Sequence, residues 1–315
     1  MFNLLACKLF DHLCRNAARQ RMMASTVAGA SVLDAGIHTA GSLAAGIGLA
    51  RLCLGDLADV VIVPADSATF ASPNAIFVQT DHPIGAGLAC QYAGWPVATD
   101  DFFAMGSGPM RAARGREPML VDLQLIETAD QVVGVLESDK MLTTSAVGLI
   151  AKDCGVPAAN VQIAIAPSTS IAGSVQVVAR SIETALHKLH ALEFDVRSVV
   201  SATGHAPLPP PARPSDTVTG IGRTNDAILY GATVTLWVDH DDDAVNAVAN
   251  AVPSSHSSDH GRPFAEIFKA YDYDFYKVDP FLFSPAVIAI HNLRSGRTFR
   301  AGSIETSILL RSFQS

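Results

Sequence analysis

Residues 161–186 read VQIAIAPSTSIAGSVQVVARSIETAL, and this stretch decides how the chain around it is read. Its first six residues alternate with period 2 and stop at Pro167, which predicts a strand. From Ile171 to Leu192 the spacing is helical, so a strand passes into a helix through Ser168, Thr169 and Ser170. Each of those side chains can accept from the free N–H groups of a helix start. Arg180 and Glu183 are the only charges in the opening turns of that helix. Three residues apart, they share one helix face, with Gln176 a turn earlier on the same side. A buried charge is costly unless paired, so a buried Arg180 and Glu183 would hold each other. A carboxylate held this way can act as a general base. The same spacing also suits a structural ion pair on an exposed stripe.

Outward from this stretch, strand patterns recur at Val60–Val63, Ala75–Gln79, Val132–Leu136, Val199–Ala202, Ile228–Val238 and Val287–His291. Ser295-Gly296 then suggests a hairpin into a strand from Thr298. Helical spacing covers the N-terminus, Ser42–Leu54, Ile84–Ala93, Ala146–Asp153, Ala244–Asn250 and Pro263–Ala270. The order lacks the strict strand–helix–strand rhythm of a doubly wound sheet. The expectation is therefore an α+β protein, with helices packed on mixed or antiparallel sheets. At 315 residues the chain has room for two domains, 1–150 and 151–315, divided after Glu137-Ser138-Asp139-Lys140. The prolines between His205 and Thr219 forbid regular structure there and predict a linker.

Composition narrows the function. The formal charge is −8, and no Lys/Arg run stands out. Phosphate neutralisation needs concentrated basic surface, so nucleic-acid binding is not expected. The five cysteines are scattered without a CxxC, which argues against a zinc or disulfide framework and for reduced thiols in a cytoplasmic protein. No apolar stretch reaches the roughly 18 residues a membrane span needs. Phe2, Leu5, Phe10 and Leu13 suit an amphipathic N-terminal helix packed on the body, in preference to a transit peptide.

Other chemistry-bearing segments have double readings. Residues 105–112, MGSGPMRA, form a Gly-rich turn in which Gly106, Ser107 and Arg111 could hold an anion or a carbonyl, or make a tight structural turn. Asp81 and His82 follow a strand end, where Asp81 could cap a helix and His82 could bond a ligand. Arg223, Thr224, Asn225 and Asp226 are expected at a strand entrance, where they could read a heteroaromatic edge or form an ordinary turn. The small residues from Asp34 to Gly48 suit close packing or a pocket wall. No P-loop, GxGxxG, HExxH or GxSxG occurs, and the ten histidines suggest no catalytic metal.

The blocks TDHP (80–83), AGW (93–95), FAMGSGP (103–109), PSTSIAGSVQ (167–176), GRTNDAILYG (222–231) and YDYDFYKVDP (271–280) resemble the methenyltetrahydromethanopterin cyclohydrolases. The resemblance runs from about Val32 to Phe313. It implies two α+β domains with an interdomain cleft, a homotrimer, and no cofactor beyond the pterin substrate. The implied reaction is reversible hydrolysis of N5,N10-methenyltetrahydromethanopterin to the N5-formyl form in one-carbon metabolism. Glu183 and Arg180 match the family's catalytic pair. Asp81, His82, Gly106, Ser107, Thr169, Ser170, Gln176, Arg223, Thr224, Asn225 and Asp226 are the substrate-binding candidates. A non-catalytic pterin-binding protein and a cyclohydrolase for methenyltetrahydrofolate are the alternatives.

Overall fold

A computed structural model describes residues 1–314. In chain order the strands are β1 (Met23–Val27), β2 (Ala30–Asp34), β3 (Asp59–Pro64), β4 (Asn74–Thr80), β5 (Trp95–Ala98), β6 (Phe103–Ser107), β7 (Val132–Glu137), β8 (Val161–Ala166), β9 (Val199–Pro207), β10 (Thr233–Val238), β11 (Val287–Asn292) and β12 (Thr298–Gly302). The α-helices are α1 (Phe2–Arg15), α2 (Leu43–Cys53), α3 (Ser67–Phe70), α4 (Met110–Arg114), α5 (Pro118–Asp122) and α6 (Thr144–Cys154). They continue as α7 (Ile171–Val178), α8 (Ser181–Ala191), α9 (Thr217–Leu229), α10 (Asp242–Ala249), α11 (Phe264–Ala270) and α12 (Thr306–Phe313). The architecture is α+β, with two mixed six-stranded sheets.

The chain forms two compact units, Met1–Asp59 with Gly85–Gln176, and Val60–Ile84 with Val177–Ser315. In the first unit the strand order is β1-β2-β8-β7-β6-β5. β8 pairs in parallel with both β2 and β7, while β1–β2, β5–β6 and β6–β7 are antiparallel. Period-2 alternation sorts side chains to opposite faces of this sheet. Leu33, Val133, Val135, Ala164 and Ala166 join Phe10, Leu13, Leu49 and Leu52 from α1 and α2. Val32, Val132, Leu136, Ile163 and Ile165 join Met110, Val147 and Ile150 from α4 and α6. Helices therefore cover both faces. The amphipathic N-terminal helix is present as α1, and Asn3 anchors it through bonds to Pro109 O and Glu127 at 3.0 Å each.

In the second unit the order is β12-β11-β10-β9-β4-β3. β10 and β11 run parallel, while β9 is antiparallel to both β10 and β4. The division expected near residue 150 falls inside α6, and β8 beyond it pairs with β2 and β7. The early strand β4 instead lies beside β9, 120 or more residues later in sequence. Long-range strand pairing is invisible to local composition, so a single cut in the sequence does not describe these units.

The expected strand Ile228–Val238 is two elements. Ile228 and Leu229 end helix α9, and β10 begins only at Thr233. A short apolar run carries no period that separates helix from strand. The Pro-rich linker is narrower than expected, because β9 extends to Pro207 and α9 starts at Thr217. Ser295-Gly296 does lie in the turn joining β11 to β12, with Gly296 at φ +73°.

Candidate active site

The segment after β8 is built from its own hydroxyls. Ser170 Oγ accepts from Gly173 N at 2.9 Å and donates to Pro167 O at 2.8 Å, capping α7. Ser174 Oγ reaches back to Ser168 O at 3.2 Å and Ser170 O at 3.0 Å. Glycines in the Asp34–Gly48 segment explain how closely this loop and α7 are approached. A β-carbon on Gly36 would lie 2.5 Å from Ser170 Oγ, and one on Gly46 would lie 2.5 Å from Val175 Cβ. Close packing is thus the role of these two positions.

The helix expected to run unbroken from Ile171 to Leu192 is interrupted after Val178. Arg180 N donates to Val177 O at 3.1 Å, a tighter three-residue step, and Arg180 O then accepts from Thr184 N at 3.0 Å. Arg180, at φ −87° and ψ 4°, is consequently the N-cap residue of α8, and Glu183 stands in its first turn. Both are buried, at 8% and 5% exposure, so each keeps a sliver of surface. The positive end of the helix dipole favours negative charge at the Glu183 position. Further along α8, Lys188 Nζ donates to Phe281 O at 2.7 Å and lies 4.3 Å from that ring's centroid. Burial pushes the Lys188 ammonium down to about 8, with Asp279 opposing the shift.

The substrate-binding candidates divide between the two units. In the first, Ser107 Oγ lies 3.3 Å from both Cys53 Sγ and Val135 O, and the Cys53 thiol donates to Gln176 Oε1 at 3.6 Å. In the sequence Cys53 is one of five scattered thiols, and no local pattern marks its contact with two candidates 54 and 123 residues away. Thr169 is buried and Ser170 half-buried; Gly106 is buried within β6. Arg111 is fully buried, and its guanidinium is taken up by groups of the protein itself. It bonds Glu117 through Nε at 2.9 Å, forms an ion pair with that carboxylate through Nη2, and donates to Leu88 O, Ala89 O and Cys90 O. Those carbonyls belong to the π-helix Ile84–Gln91, whose late acceptors need donors.

In the second unit, Asp81 and His82 are exposed. Asp81 Oδ1 accepts from Ser201 Oγ at 2.7 Å, and His82 N donates to Thr80 Oγ1 at 2.9 Å. Residues 223–226 lie on helix α9 and not at a strand entrance, because Asp216 caps the helix by accepting from Thr219 N at 3.0 Å. Arg223 donates to Ser312 O, Pro210 O and Pro211 O at 3.1–3.2 Å. Thr224 and Asn225 bond backward to carbonyls of the same helix. Asp226 is fully buried and accepts from Phe264 N at 2.7 Å, the first residue of α11. Burial raises its carboxyl from 3.8 to about 7, against hydrogen bonds from Ser312 and Phe264.

Among the described residues, no group of three or more His, Cys, Asp or Glu side chains could hold a metal ion. Among the same residues, no helix is long and apolar enough to cross a membrane.

A buried Arg and Glu sharing one helix turn, set in a two-unit α+β chain, accompany a match to a hydrolase class. Residues 2–313 match the family model described as Cyclohydrolase (MCH). The chain is 59% identical over 311 residues to the methenyltetrahydromethanopterin cyclohydrolase of Rhodopirellula baltica, covering 98% of this chain and 93% of that protein. It is 43% identical over 313 residues to the protein of the same name from Methylobacillus flagellatus, covering 99% and 94%. A third, from Methanococcoides burtonii, is 43% identical over 288 residues, covering 90% and 89%. The chain belongs to the methenyltetrahydromethanopterin cyclohydrolase family, and is an enzyme of the hydrolase class.

Proposed function

We propose that this enzyme hydrolyses N5,N10-methenyltetrahydromethanopterin reversibly to N5-formyltetrahydromethanopterin, with Glu183 as general base and acid and Arg180 as its partner. The observation that carries the reading is the 59% identity, across nearly the whole chain, to a protein bearing that name. The placement of Arg180 and Glu183 in one buried helix turn supports their roles.

The chemistry suits these groups. The bridging carbon belongs to an amidinium cation and is electrophilic without a Lewis acid. Glu183 takes one proton from the attacking water as the C–O bond forms. The same proton then passes to N10 as the C–N10 bond breaks. The adduct hydroxyl loses the second water proton as the formyl C=O forms, so each turnover releases one proton to solvent. Arg180 can hold the Glu183 carboxylate or donate to the oxygen of the adduct. A guanidinium is repelled by the cationic substrate and accepts the neutral adduct better, and that difference lowers the barrier.

Substrate contacts from Asp81, His82, Ser107, Thr169, Ser170 and Gln176 belong to the same proposal. So do operation without a metal or redox cofactor and a cytoplasmic homotrimer. The deciding assay compares loss of the methenyl near-UV absorbance with the tetrahydromethanopterin and tetrahydrofolate substrates. Turnover of the first is expected to dominate. Equal or faster turnover of the folate compound would reassign the carbon carrier, and stoichiometric binding without absorbance loss would mark a non-catalytic pterin binder.

A further inference from the structure

Gly204 stands in the middle of β9, opposite Val234 of β10 and Val78 of β4. A glycine in a central strand weakens it and marks the close approach of another element. That element is the first turn of α8. A β-carbon on Gly204 would lie 2.3 Å from Ser181 Oγ, 3.0 Å from Ile182 Cγ1 and 3.4 Å from Ser181 Cβ. Ser181 is 1% exposed, and its hydroxyl has no hydrogen-bond partner. The small side chain of Ser181 thus fills the space that any other residue at 204 would claim. Ser181 follows the N-cap Arg180 directly and precedes Glu183 by two residues.

We propose that Gly204 and Ser181 are positioning residues: their contact seats the first turn of α8 on β9 and thereby sets the depth at which Arg180 and Glu183 are held. The inference rests on the catalytic assignment of Glu183 and Arg180 made above. A β-carbon at 204 meets Ser181 Oγ and Ile182 Cγ1 together, so turning the hydroxyl aside relieves only the first contact, and the turn shifts to relieve the second at 3.0 Å. Displacements near 1 Å can cost on the order of 100-fold in rate.

Gly204→Ala is the direct test, scored per folded molecule. The expected result is a kcat lower by about 10- to 100-fold, KM within about twofold, and a shifted acid limb of the pH–rate profile. A second substitution, Ser181→Ala, removes the atom at 2.3 Å and leaves Ser181 Cβ at 3.4 Å and Ile182 Cγ1 at 3.0 Å. The double variant should therefore recover part of the kcat lost in Gly204→Ala. If Gly204→Ala does not fold, Ser181→Thr enlarges the same contact from the helix side and must lower kcat with KM held. Glu183→Gln is measured alongside. Activity retained in Glu183→Gln removes the catalytic assignment itself. An inactive Glu183→Gln beside a folded Gly204→Ala with wild-type kcat and pH profile overturns the positioning role alone. So does a double variant no faster than Gly204→Ala, or a folded Ser181→Thr with wild-type kcat.

Discussion

Arg180 is the cap residue of α8 and Glu183 lies in its first turn, and less than a tenth of either side chain's residue surface is exposed. One helix turn therefore carries both a fixed cation and a buried carboxylate. Replacing Glu183 by Gln keeps the shape and removes the proton acceptor. Steady-state kinetics should show kcat reduced by about 10²- to 10⁴-fold with KM little changed, the span typical of a lost general acid–base. Near-normal turnover would take Glu183 out of the mechanism.

Arg111 should behave as a structural residue. Its removal takes a buried donor from Glu117 and from the carbonyls of Leu88 and Ala89, while Cys90 O keeps its bond from Gly108 N at 2.7 Å. Arg111→Ala is expected to destabilise the protein by about 3–5 kcal/mol, the usual cost of breaking one side of a buried ion pair. Calorimetry should register a lower Tm, while KM of the surviving folded enzyme stays near wild type. A KM increase at unchanged Tm would return Arg111 to the binding site.

Arg223 ties the Pro-rich segment 208–216 to the carbonyl of Ser312 near the end of α12. Arg223→Ala should lower stability by about 1–2 kcal/mol in urea titrations, in line with the loss of charge-assisted bonds to carbonyls. Substrate affinity should hold within a factor of about two. A rise of about tenfold in KM, equivalent to roughly 1.4 kcal/mol, with stability intact would instead show Arg223 touching the pterin.

Asp226 predicts a pH effect on stability. Its folded carboxyl is raised from 3.8 to about 7, chiefly by burial. Over that interval the folded state keeps its proton while the unfolded chain loses it. The contribution of Asp226 to stability is therefore complete below about pH 3.8 and declines as pH rises to about 7, by at most about 1.4 kcal/mol per pH unit. Asp226→Asn removes this dependence, so the variant should gain on the wild type between pH 5 and 7 in matched denaturation curves. A constant difference across those pH values would contradict the raised carboxyl.

Much of the site's scaffold was legible locally. The alternation from Val161 to Ala166 foretold strand β8, and the hydroxyls after Pro167 foretold a cap, which Ser170 supplies. Pairing of β4 with β9 was not legible, because the strands are more than a hundred residues apart and no residue type announces its neighbour. Arg111 and Arg223 looked like ligand-binding cations for the same reason. A guanidinium in a Gly-rich turn or beside Asn225 reads identically whether its acceptors come from substrate or from distant carbonyls.

The sequence by itself determined which segments alternate, where helices are capped, and that Arg180 and Glu183 stand three residues apart, since these are properties of neighbours along the chain. Only tertiary structure decided that the helix carrying them breaks after Val178, that α8 seats on Gly204, and which cations are already bonded to carbonyls. The physical reason is that periodicity and capping act within a few residues, whereas burial and hydrogen-bond satisfaction depend on whichever groups the long-range pairing of β4, β9 and β10 brings near.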